Sequence, residues 1–186
     1  MKKTKLIATI ASVVLVIALI GFGVYAATSV SFGVTSKINY VVRDVFVDIT
    51  YSKEIDGVLD GEETTLKSYE EDELTGIVTP LASIPDTQLS AGEFEEKDQT
   101  IAYIITVKNV ANDPTPISLS LSATYVPDDS DNYDTDAIEL TVTGDCTNLS
   151  FAYNAERTLT ATLTLLSDIN PSVGTLTISV VAVNNV

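Results

Sequence analysis

From Val30 onward, apolar residues fall at every second position through much of the chain, the pattern of strands with one buried face. Val30, Phe32, Val34, Ile38, Tyr40 and Val42 share one parity, opposite Ser31, Gly33, Thr35, Lys37 and Asn39. The parity reverses across Arg43-Asp44, after which Val45, Val47, Ile49 and Tyr51 carry the apolar side. A one-residue slip exchanges the two faces of a strand, so a bulge or bend is expected there. The segment is then two strands, or one long strand that changes partner.

Ser52 to Gly76 break the alternation. Asp56-Gly57, Asp60-Gly61 and the run Tyr69-Glu70-Glu71-Asp72-Glu73 predict an acidic, turn-rich insert at about 52–76, with a short helix around Glu62 to Glu73 as one reading. Ile77 to Leu81 reads as a short strand that Pro80 and Pro85 confine to an edge. The alternation returns with Ile101, Tyr103, Ile105 and Val107, where Ile104 on the other side suggests burial on both faces. Ile117, Leu119, Leu121 and Ala123 follow, then Ile138, Leu140 and Val142. Leu159 to Leu165 and Leu176 to Ala182 complete the series, with turn clusters at 127–136, 144–148 and 168–174. Many short strands without helical periodicity predict an all-β protein, a single β-sandwich of jelly-roll or immunoglobulin-like topology.

The beginning of the chain has a different character. Lys2, Lys3 and Lys5 precede an apolar run from Leu6 to Phe22, and Val24-Tyr25-Ala26 then places small residues at the −3 and −1 positions of a signal-peptidase site. Residues 1–26 are therefore read as an apolar signal helix cleaved before Ala27, and 27–186 as the sandwich. The alternative is an uncleaved membrane anchor, since a span needs about 20 apolar residues. Of 186 residues, cleavage after Ala26 leaves 160, enough for one domain that buries about 70% of its unfolded surface. The expected location is secreted or cell-surface, with signal peptidase a partner during export and the membrane touched only through the signal segment. No apolar tail or wall-sorting motif follows the last strand pattern, so surface retention is expected to be non-covalent or through assembly.

Charge narrows the partners. The chain has 10 basic and 26 acidic residues, a net charge of −16. Three of the basic residues and none of the acidic ones lie in the leader, so the remainder carries −19. Nucleic acid is excluded as an expected partner, because its backbone is bound by Lys and Arg neutralising phosphates. Cys146 is the one cysteine. No intrachain disulfide forms, and the thiol is expected to be buried at a strand end.

Chemistry has little to build on. The absence of histidine removes Ser-His-Asp and Cys-His catalysis and the commonest zinc ligand. Two-carboxylate glycoside hydrolysis survives by residue type alone. The acidic residues, however, cluster in loops as a solvated surface would, and the expectation is a protein that is not an enzyme and has no cofactor. The densest cluster is Asp128, Asp129, Asp131, Asp134 and Asp136. Asp129, Asp131, Asp134 and Asp136 make a weak calcium candidate, since Ca²⁺ takes six to eight oxygen ligands; the turn glycine and terminal Glu of an EF-hand are missing. Lys37 with Asn184 or Asn185 is a conceivable crosslink between the first and last strands, and Asn148-Leu149-Ser150 is a glycosylation sequon.

The leader and first strand, Gly21-Phe22-Gly23-Val24-Tyr25-Ala26-Ala27-Thr28 running into Val30 to Ser36, resemble the export signals of the TasA/camelysin group of bacterial surface and biofilm-matrix proteins. Gly92 to Asn109, with Phe94, Tyr103, Ile105, Val107 and a closing Lys108-Asn109, resembles a strand-turn segment of that group. The resemblance implies processing by a SipW-type signal peptidase and a jelly-roll-like subunit that polymerises by strand exchange. It makes Val30, Phe32, Val34, Ile38 and Tyr40 the assembly strand. The acidic insert and lone cysteine depart from the group. The expectation is a secreted structural fibre subunit whose partners are its own copies or other matrix proteins; the alternative is a monomeric adhesin or glycan-binding module.

Overall fold

The computed structural model describes residues 32–72, 75, 77–81, 83–110, 117–128, 135–167 and 172–184. The leader, Val24, Ala26, Ala27 and Val30 lie outside the described residues.

Thirteen strands are described: β1 (Phe32–Arg43), β2 (Val47–Ile55), β3 (Val58–Leu59), β4 (Thr64–Lys67), β5 (Tyr69–Glu71), β6 (Val78–Pro80), β7 (Thr87–Glu93), β8 (Thr100–Asn109), β9 (Ile117–Pro127), β10 (Ile138–Thr143), β11 (Cys146–Phe151), β12 (Glu156–Leu165) and β13 (Ser172–Asn184). One sheet runs β11-β9-β13-β1-β7; a second runs β10-β12-β8-β2-β3, with β4 also on the β3 edge of β2. β5 and β6 pair apart from both. The architecture is all-β and sandwich-like. Alternating burial on β8, on β13 and, from Leu159, on β12 gives each sheet one apolar inner face, and Ile38, Ile49, Ile101, Leu119, Leu163 and Ile178 are among the fully buried side chains.

The parity reversal at Arg43-Asp44 has a structural cause. β1 ends in the first sheet and β2 begins in the second, so the chain changes layer and its inward parity must change with it. Asp44 takes the crossing in a left-handed conformation, φ 51°, which Asp tolerates better than most residues. Ser68, 1% exposed, pins the crossing: its hydroxyl donates to Val45 O at 2.7 Å and accepts the Val47 N–H at 2.8 Å.

Three expectations need correction. The helix expected around Glu62 to Glu73 does not form among the described residues of that stretch, where β4 and β5 take Thr64–Lys67 and Tyr69–Glu71. Thr64, Thr65 and Leu66 lie on the free edge of β2, in register with Tyr51, Thr50 and Ile49, and edge pairing of β-branched residues overrides a weak helical preference. The break placed at Ser52 also moves, because β2 continues to Ile55 and turns back through Asp56-Gly57 into β3. Both turn residues have positive φ, 50° and 76°, the requirement of a two-residue type I′ hairpin. Ile104, expected to be buried on both sides, is half-buried on the outer face.

Candidate assembly strand and its surroundings

β1 is the element around which the first sheet closes. It runs parallel to β13 over its whole length, from Phe32 opposite Ser172 to Arg43 opposite Val183. On its other edge it pairs antiparallel with β7, with a register shift between Val34 and Ser36. Phe32, Val34, Ile38, Tyr40 and Val42 are 0–8% exposed, all within their own chain. Parallel pairing of first and last strands was not legible from alternation, and both topologies expected from sequence are built of antiparallel sheets.

Polar groups line the seam between β1 and β7. The Tyr40 N–H donates to Asp86 Oδ1 at 3.3 Å, and burial pushes the Tyr40 hydroxyl up to about 12. Ser36 is fully buried on the inner face of β1. Tyr103, from the opposite sheet, donates its hydroxyl to Ser90 O on β7 at 3.1 Å, and burial raises its pKa. Nearby, a cleft of about 220 Å³ opens between β7 and the β2–β4 edge. Lys53, with a side chain 10% exposed, reaches Asp60 Oδ2 there at 2.6 Å. An inward charge beside a sheet edge discourages further strand pairing.

The remaining candidates scatter. Asp136 is exposed and Asp128 gives its N–H to Val173 O at 2.8 Å; Asp129, Asp131 and Asp134 lie outside the described residues. Among the described residues no cluster of three metal-ligating side chains forms. Lys37 is in register with Thr177 on the parallel neighbour, which puts Asn184 about 23 Å farther along β13 at 3.3 Å per residue. The conceived Lys37–Asn184 crosslink does not form for that reason, and Asn185 lies outside the described residues. Cys146 is half-buried rather than buried, at the start of edge strand β11, with its thiol directed at Leu119 O at 3.7 Å. Asn148 of the sequon is exposed at φ 48°.

Asn109 closes β8, and its role in the fold is structural. It is 0% exposed, donates its side-chain amide to Phe151 O at 2.9 Å, and its backbone bonds to Ala155 O and Asn154 N at 3.0 and 2.8 Å. One residue therefore shapes the whole β11–β12 turn. Its signal in the sequence was an Asn at the inward parity of a strand end. Compared with protein-family models, curated proteins and solved structures, the chain matches none.

Proposed function

We propose that this chain is an exported, non-enzymatic structural protein of the TasA/camelysin kind, a subunit of a cell-surface or biofilm-matrix fibre that assembles by exchanging β1 between copies. The observation that carries the reading is the position of β1. It joins the rest of the described chain through the short link 44–46 and fills a slot between β13 and β7. Withdrawn, it leaves unpaired backbone groups on both neighbours, and a buried unpaired N–H or C=O costs free energy comparable to a lost hydrogen bond. A β1 from a second copy restores every bond in the same register. This is β-strand addition, in which main-chain pairing gives affinity and alternate side chains give specificity.

Burial of five apolar side chains of β1 contributes roughly 7–15 kcal/mol before ordering costs, the range a persistent contact requires. Cleavage before Ala27 would free the segment leading into the strand. In the same reading the sandwich is a jelly-roll variant in which first and last strands lie parallel, and calcium at the Asp129–Asp136 loop is an accessory. Electron microscopy of the protein recovered outside its producing cells is the test. Filaments are expected, and deletion of residues 27–42 is expected to leave soluble, unassembled protein. Filaments that survive the deletion refute strand exchange; saturable glycan binding by a strictly monomeric protein supports the adhesin instead.

A further inference from the structure

The outer face of the second sheet carries two rows of side chains that no part of the proposed strand exchange uses. Registers across four strands place Glu156 (β12), Lys108 (β8), Asp48 (β2) and Lys67 (β4) side by side. Two residues along each strand, Thr158, Thr106, Thr50 and Thr65 form the adjoining row. The first row reads minus, plus, minus, plus. Glu156 and Lys67 are exposed, and Lys108 and Asp48 half-buried. Neither Lys67 nor Lys108 forms an ion pair with a described carboxylate. The Tyr69 hydroxyl donates to Asp48 Oδ1 at 2.9 Å and the Lys67 ammonium lies 5.4 Å from the Tyr69 ring centroid, which fixes the β2–β4 half of the row.

We infer that this face is a self-complementary docking surface for a second copy of the chain, related by a twofold axis that lies in the plane of contact, parallel to the strands and between β8 and β2. That operation reverses the row against itself. Glu156 then meets Lys67 of the other copy, Lys108 meets Asp48, and both relations occur twice, as an isologous contact requires. A twofold axis running along the row instead sets each charge over its own kind, so the charge order selects the geometry. The threonine row meets itself under the same operation. Its hydroxyls are bonded in pairs within the face, Thr106 to Thr158 at 2.9 Å and Thr50 to Thr65 at 3.0 Å, which lowers the cost of drying it. A shallow recess of about 360 Å³ along the two rows, edged also by Glu63, leaves room for opposing side chains. The strands that face each other under this operation, β12 and β8 with ten residues each, β2 with nine and β4 with four, present about 500 Å² per copy, the size of a weak contact whose register the charges set.

The contact does not involve β1 and stands whether or not strands exchange. Its first test is zero-length carbodiimide crosslinking of a mixture of isotopically light and heavy protein at physiological salt, read by mass spectrometry. Within one chain Lys67 and Glu156 are three strands apart, about 14 Å, beyond a zero-length link. A Lys67–Glu156 peptide joining light to heavy protein is the expected product, and it appears in a dimer or a fibre alike. Its absence overturns the inference.

The second test is sedimentation of Glu156→Lys and Lys67→Glu, separately and mixed. Each variant alone puts like charges together at two places and is expected to self-associate about 30-fold more weakly. The equimolar mixture restores opposite charges at both places and is expected to associate like wild type. Glu156→Lys makes the chain less negative, so general repulsion predicts tighter association for it. That outcome, or a mixture no better than its components, overturns the assignment.

Discussion

Replacing Gly174 with Ala tests the packing logic of the first sheet at the point where β13 supports β1. Gly174 lies opposite Val34 on β1 and Pro127 on β9, and the ring of Tyr125 covers it from the inner face. A Cβ there would stand 2.5 Å from ring carbons Cε2 and Cζ and press on the hydroxyl. Carbon–carbon contact is optimal at about 3.5–4.0 Å, so the ring must retreat by about 1 Å or more. Overpacking of this kind costs about 1–3 kcal/mol. With Tyr125→Ala in the background the methyl has room, and Ala in place of a strand glycine then stabilises by about 0.5–1 kcal/mol. The double-mutant cycle should therefore return a coupling of about 2–3 kcal/mol. Urea denaturation of the four proteins measures it, with the single Gly174→Ala variant unfolding about 1 M earlier for a slope near 2 kcal/mol per molar. A neutral Gly174→Ala, or the same loss with and without the Tyr125 ring, refutes the argument.

Two further outcomes follow from buried polar groups. Asn109→Ala should lose about 1–3 kcal/mol, because Phe151 O is left buried without its donor; hydrogen exchange should localise the loosening to residues 151–155, and uniform loosening would contradict the assigned role. Tyr40 and Tyr69 are pushed up to about 12, first by burial, and burial also raises Tyr103 and Tyr125. The folded state therefore holds these protons more tightly than the unfolded one. Stability from this source is complete below pH 10 and falls as pH rises toward 12. Urea midpoints followed with tyrosinate absorbance should decline together across that window, and ionisation of every tyrosine near pH 10 with the fold intact would contradict it.

The alternation of apolar residues determined strand identity and inward face almost everywhere, because a period of two admits a single orientation once one side must be dry. Leu159 to Leu165 and Leu176 to Ala182 were legible for that reason, and the parity reversal at Arg43-Asp44 marked the change of layer without naming it. Partners were not legible. Backbone hydrogen bonds carry no residue code, so nothing in Phe32–Arg43 said that its neighbours would be Ser172–Asn184 in parallel and Thr87–Glu93 in reverse. The same gap hid the charge row. Asp48, Lys67, Lys108 and Glu156 are ordinary surface residues in the sequence, separated by long stretches of chain, and only strand register lines them up in alternating sign. The misread helix at Glu62 to Glu73 shows the limit from the other side. Local preference there was weak, and the unpaired edge of β2, which no local window contains, drew the chain into strands.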